Sequence, residues 1–200
     1  MNTRSNYYLS LHVETTGVNY DDPSAPVYEG HDIVALAAAV CEKDTFKKVD
    51  EIIVFFTQDP DRKDIGTRWH GITAAFLDEE GVDEIEAIEE FVSFLLDYFD
   101  VSESIICMGQ NVHAFALPFI KNWLYSNEVF LKFSTCSLDV FSLTVATIGE
   151  TSIEELIDTF GEVENMKGFQ QRQEYACLLK VQVFIEAFRR IDKLCRNMIQ

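Results

Sequence analysis

The pattern that organises the chain lies in Tyr7 to Gly17, Y-Y-L-S-L-H-V-E-T-T-G. Its apolar positions Tyr7, Leu9, Leu11 and Val13 alternate with Tyr8, Ser10, His12 and Glu14, so a strand here carries His12 and Glu14 on one face. Gly17 punctuates the turn, and Val18 to Gly30, with Asp21, Asp22, Pro23 and Pro26, reads as a loop. Ile33 to Cys41 is nearly continuously apolar, as in a strand buried on both faces, although its alanines leave a helix open. Val49 to Thr57 has the β-branched and aromatic content of a third strand, with a hairpin connection over Glu42 to Lys48.

Asp59, Pro60 and Asp61 break the pattern, and a short helix-like run extends from Trp69 to Leu77. Helical spacing of Ile85, Ile88, Val92, Leu95, Leu96 and Phe99, with Glu84, Glu86, Glu89 and Glu90 opposite, predicts an amphipathic helix with a solvated acidic face. Ser104 to Met108 predicts a strand ending at Gly109, and Asn111 to Leu124 a helix with Pro118 in its first turns. Phe130 to Thr135 predicts the last strand. Helices follow over Ser137 to Thr147 and Ser152 to Thr159, the latter capped by Ser152 with Glu155 three residues on. Gln170 to about Met198 predicts a long closing helix, striped by Ala176, Leu179, Val183, Ala187, Ile191 and Leu194. Strands and helices in this order describe one α/β domain over 1–200 with a mixed sheet.

Composition narrows the function classes. Forty-eight per cent hydrophobic residues, including 16 Phe, fill a core. No run reaches the ~18 apolar residues of a membrane span and the amino terminus lacks a signal-peptide core, so a cytoplasmic location is expected. The five scattered cysteines show no metal or redox spacing and read as buried free thiols. With 34 acidic against 16 basic side chains, the net charge of -18 opposes loose association with nucleic acid. It suits solubility, or a basic protein partner.

Several short motifs resemble one family. E-T-T-G at Glu14 to Gly17 is similar to the end of the first motif, D-x-E-T-T-G, of the DnaQ-like (DEDDh) 3′-to-5′ exonucleases, with His12 at the first aspartate position. H-G-I-T at His70 to Thr73 resembles the segment after the third strand. Gly109, Gln110, Asn111 and Phe115 to Phe119 resemble the second motif, G-H-N-x-x-F-D-x-x-F, with Ala116 at the metal-binding aspartate. Ser137, Leu138 and Asp139 resemble the helix start often written D-T-L. In the third motif, H-x-A-x-x-D-A, the histidine falls on Gln171 and the aspartate on Ala176. The resemblance implies an RNase H-like fold with a mixed sheet of about five strands flanked by helices.

It also implies what the chain lacks. The family hydrolyses phosphodiesters with two divalent cations held by four converging carboxylates, and a histidine serves as base. Only Glu14 remains of the four; His12 offers a nitrogen suited to zinc or nickel rather than magnesium, Ala116 and Ala176 offer nothing, and Gln171 cannot titrate. His12 also reads as a strand histidine satisfied by a neighbour, and Glu14 as a partner for a cation such as Arg172. His70 and His113 read as surface or loop groups. Glu174, two positions before Ala176, is turned about 200° away on a helix.

Three functions follow from the resemblance. The first is a pseudo-exonuclease acting as a scaffold or regulator for a protein partner, with no cofactor and with Glu14 a residual, unoccupied metal ligand. The second is metal-independent binding of single-stranded DNA or RNA ends, through the backbone of Thr15, Thr16 and Gly17 with His70 and Phe115, helped by His12 turning positive at mildly acidic pH. The third is a divergent Mg²⁺- or Mn²⁺-dependent exonuclease using Glu14, His12 and a carboxylate such as Asp21 or Glu174. A homodimer is compatible with all three, because some relatives pair.

Overall fold

The computed structural model describes residues 5–59, 67–149, 152–160 and 173–199. Five strands, β1 (Tyr7–Thr15), β2 (Ile33–Glu42), β3 (Lys48–Phe55), β4 (Ile105–Gly109) and β5 (Phe133–Asp139), form one sheet in the order β3-β2-β1-β4-β5. β1 pairs antiparallel with β2, and β2 with β3, while β1–β4 and β4–β5 are parallel. The expected mixed α/β sheet of five strands flanked by helices is therefore present.

The alternation in β1 sets the two faces. Leu9, Leu11 and Val13 enter one apolar cluster with Phe91, Phe94 and Leu95 of α3 (Glu84–Leu96) and Phe119, Ile120 and Trp123 of α4 (Ala116–Ser126). The opposite face is covered by α7 (Ala176–Ile199), whose Leu178, Val181, Phe184 and Phe188 pack with Val34, Ala35, Ala37 and Ala39 of β2. β2 is buried along both faces, as its continuous apolar run requires. Small alanines on the α7 side let that helix lie close. The β2–β3 hairpin closes with the Glu42 amide on the Lys47 carbonyl, over the residues expected.

Short helices fill the connections: α1 (Thr67–His70), α2 (Ala74–Glu80), α5 (Val140–Thr147) and α6 (Ile153–Phe160). The single run expected from Trp69 to Leu77 is divided, because Thr73 leaves the helix and caps α2 by accepting from the Phe76 amide. Ser152 and Glu155 form the reciprocal capping box expected for α6, at 3.1 and 2.9 Å.

Several boundaries and faces differ from the sequence reading: α4, expected from Asn111, starts at Ala116, because Asn111 at φ 48° lies outside helical geometry, and β5, expected from Phe130, starts at Phe133. β5 runs on to Asp139, so Ser137 and Leu138 are strand residues and α5 starts at Val140, capped by the Asp139 carboxylate on the Ser142 amide. In α3 the buried stripe is Ala87, Phe91, Phe94 and Leu95; Ile85 and Leu96 face solvent at 67% and 48% exposure. The larger phenylalanine surface decides which side turns inward. α7 begins at Ala176 after a 3₁₀ turn over Gln173–Tyr175, and Leu194, at the far end of its expected stripe, is exposed. Among the described residues no helix is long and apolar enough to cross a membrane.

Candidate functional site

The end of β1 and the first turns of α7 meet in a cluster built from both ends of the sequence. His12 and Glu14 lie on the α7 side of the strand, and Lys180 of α7 reaches between them. Its Nζ lies 2.6 Å from Glu14 Oε1 and 3.1 Å from His12 Nε2, while His12 Nε2 lies 3.1 Å from the same Glu14 oxygen. One turn earlier, the Cys177 thiol donates to the His12 carbonyl at 3.6 Å. One turn later, the Phe184 ring stands edge-on to the His12 ring, with centroids 6.2 Å apart. The Ser10 hydroxyl donates to the Val181 carbonyl and fixes the helix against the strand.

The group is nearly dry, with Glu14 and Lys180 side chains 12% and 16% exposed, which sharpens its electrostatics. Burial alone would raise the Glu14 carboxyl, but His12 and Lys180 outweigh it and hold it down to about 2. Burial, reinforced by the Lys180 ammonium, lowers the His12 pKa against the opposing pull of Glu14. Protonation of His12 therefore takes a lower pH than in a free imidazole. A neutral ring makes one of its two contacts at a time: Nε2 either accepts from Lys180 or donates to Glu14. Burial, with Glu14 beside it, pushes the Cys177 thiol well up.

Beside this cluster lies a cleft of about 310 Å³ lined by Glu14, Thr15, Gly17 and Val18 on one side and by Arg68, Trp69, His70 and Phe115 on the other. The Arg68 guanidinium stacks 4.8 Å over the Trp69 ring, and that ring is 78% exposed. Phe115 precedes α4 and packs edge-on against Phe119. Gly109 ends β4 where a Cβ would meet the Leu11 carbonyl at 2.7 Å, so the bare backbone lets β4 approach β1. Asn111 follows with φ 48° and donates its amide to Asp139 at 2.8 Å, tying this corner to α5.

The structure brings Glu14, Thr15, Gly17, His70 and Phe115 together around one cleft, while His12 does not line it and reaches it only through its contact with Glu14. Thr16 does not line it: its amide donates to the Asp32 carbonyl, and its hydroxyl accepts from the Asp32 amide. His70 is not a surface group. It is 5% exposed, and its Nδ1 accepts from the Ile72 amide, which turns the chain after α1. His113 is exposed, as expected of a loop group. Ala116 is buried at the start of α4, and Ala176 opens α7; neither side chain has a ligand atom. Gln171 and Arg172 lie outside the described residues. Among the described residues Lys180 is the cation paired with Glu14.

Two members of the cluster, Cys177 and Lys180, were missed by motif reading. The only usable signal was their i, i+3 spacing, which puts both on one face of the last helix. Among the described residues, His12, Glu14 and Cys177 form a group whose potential ligand atoms lie within 4.8 Å of one another. Asp21 and Glu174 do not belong to it. Hard Mg²⁺ or Mn²⁺ calls for several oxygen ligands. One carboxylate, already paired, with a nitrogen and a sulfur does not fit such an ion.

No protein-family model matches the sequence, and no curated protein sequence matches it. Solved structures do. The nuclease domain of 3′hExo, a DEDDh family member bound to rAMP, is similar over 96% of this chain and 94% of its own, with TM-score 0.65 and 10% identity. E. coli exonuclease I, in a zinc-bound complex with single-stranded DNA, is similar over 96% of this chain with TM-score 0.72 and 13% identity. This chain spans 41% of that protein. A 3′-exonuclease that recognises the 3′ end of a histone mRNA stem-loop is similar over 96% of this chain and 83% of its own, with TM-score 0.60 and 12% identity. The fold is thus that of the DnaQ-like DEDDh exonucleases, RNase H-like, and at these identities the likeness is one of fold.

Proposed function

We propose that the chain is a catalytically inactive exonuclease-fold protein that works by binding. The observation that carries this is Glu14: where two-cation phosphodiester hydrolysis needs converging carboxylates, the cluster offers one, and that one is ion-paired to Lys180. Ala116 and Ala176 bring no oxygen, and His12 is engaged with Glu14 and Lys180.

The occupant this cleft suits is the terminal nucleotide of a single strand, bound without metal. A metal-free cleft of four carboxylates repels phosphate; here the Lys180 ammonium balances the remaining charge. Trp69 and Phe115 offer ring faces for a base, and Arg68 offers a cation. Of the fold neighbours, exonuclease I is in complex with single-stranded DNA and the 3′-exonuclease recognises the 3′ end of an RNA stem-loop. The test has two arms. A digestion assay on 3′-labelled single-stranded DNA and RNA, with Mg²⁺ and Mn²⁺, gives no release beyond that of the Glu14→Gln variant. Anisotropy of short labelled strands in low salt with chelator present rises on addition of protein. Glu14-dependent release overturns the inactive reading, and absence of binding overturns the end-binding one.

The net charge of -18 favours a second reading, a scaffold for a basic protein partner in the cytoplasm. Such binding is unchanged by Trp69→Ala in a pull-down, whereas end binding is weakened by it.

A further inference from the structure

The cluster at the end of β1 has the composition of a cation site and already contains a cation. Glu14 Oε1, His12 Nε2 and Cys177 Sγ supply one oxygen, one nitrogen and one sulfur within 4.8 Å of one another. The Lys180 Nζ sits among them, 2.6 Å from the carboxylate and 3.1 Å from the imidazole. We propose that His12, Glu14 and Cys177 form a cation site that the chain fills with its own Lys180 ammonium, and that removing the ammonium turns these donors into a site for a borderline-soft divalent ion of the zinc and cobalt class. The proposal is independent of whether the cleft binds nucleic acid.

Three arguments support it. The donor set selects the ion: imidazole, thiolate and one carboxylate suit zinc or cobalt and leave a fourth position open, whereas magnesium and manganese want oxygens. The charge balances in either state. With Lys180 present, one carboxylate faces one ammonium. With Lys180 gone, a divalent ion faces the carboxylate and a Cys177 thiolate, whose proton leaves to solvent on binding. Both arrangements are neutral, as a buried group requires.

Geometry supplies the third argument. Metal bonds of about 2.0–2.3 Å place tetrahedral ligands roughly 3.3–3.8 Å apart, so donors now within 4.8 Å close by about an ångström or less each. His12 is steadied for this by the Phe184 ring. When its Nε2 accepts from Lys180, the ring is in the tautomer whose lone pair would bind a metal.

Cobalt(II) is the probe, because a thiolate ligand gives it a charge-transfer absorption in the near ultraviolet. The wild-type protein shows no such band, and Lys180→Met develops it to one equivalent. The band disappears in Lys180→Met combined with Cys177→Ser. Zinc in hundredfold excess over its dissociation constant raises the melting temperature of Lys180→Met by about 5–10 °C. It leaves the wild type unmoved, and magnesium moves neither. If Lys180→Met does not fold, Lys180→Gln is read in its place; if both are unfolded, zinc-dependent folding by circular dichroism is the readout. A thiolate band in the wild type overturns the proposal, because the ammonium then does not hold the site. Absence of band, stabilisation and zinc-dependent folding in the Lys180 variants also overturns it.

Discussion

Lys180 Nζ and Glu14 Oε1, 2.6 Å apart and 166 residues apart in sequence, tie the last helix to the first strand. Both side chains are largely withdrawn from water, so each depends on the other. Removing one partner leaves a charge without compensation. Lys180→Met or Glu14→Gln is expected to cost about 3–5 kcal/mol in urea denaturation, and the double variant less than the sum of the two.

Acid weakens the fold in two stages. His12 has a folded pKa below its ordinary 6.5, so the unfolded chain takes up its proton first and stability falls as pH drops below 6.5. Glu14 is held at about 2 against an ordinary 4.5, so its contribution is complete above 4.5 and is lost as pH falls toward 2. At about 1.4 kcal/mol per pH unit this second stage is on the order of 3 kcal/mol. Melting curves from pH 7.5 to 3 check it: Glu14→Gln keeps the first decline and flattens the second.

Trp69 lies at the cleft mouth with most of its ring in solvent. Trp69→Ala is expected to leave the melting temperature unchanged and to weaken binding of a short single strand by about 1–3 kcal/mol, the range for one stacked base. Anisotropy titrations beside thermal melts separate these effects. Equal affinities for the two proteins would remove Trp69 from the interface.

Asn111 holds φ 48°, a conformation that costs ordinary side chains about 1 kcal/mol and glycine nothing. Asn111→Ala is therefore expected to destabilise by about 1 kcal/mol and Asn111→Gly to be near neutral. Asp139→Ala removes the acceptor for both the Asn111 and Ser142 amides, at 2.8 Å each, and costs about 1–2 kcal/mol. Chemical denaturation of the three variants ranks them.

Thiol titration sorts the five cysteines, which are all free. Cys136 and Cys195 are exposed and react at once with an aromatic disulfide reagent. Cys41, pushed up to about 12 by burial, and the buried Cys107 and Cys177 wait for unfolding. Two fast and three slow equivalents are expected. This also revises the reading of all five as buried.

Much of this architecture is legible in the chain itself. The alternation from Tyr7 to Glu14 fixes which residues of β1 face α3 and α4 and which face α7, because a strand has a period of two. The unbroken run from Ile33 to Cys41 can only be a strand covered on both sides once its neighbours are strands. The end of β5 is harder to read: F-S-T-C-S-L-D has no apolar alternation, and Asp139 serves as both strand end and helix cap. Glu14 and His12 are visible as site residues through their motif. Lys180 is not, since a lysine on an apolar helix reads as a surface group until the helix is docked against a specific strand. The burial of His70 is equally hidden, for it depends on a bond to the Ile72 amide two residues on.

The closure of β1 by α7 also fixes an order of events. A chain emerging amino end first presents β1 to β5 with one face of the sheet bare, and Glu14 waits for a counter-ion encoded 166 residues later. Loop closure over that separation comes late. The Glu14–Lys180 contact thus marks the closing of this face of the sheet.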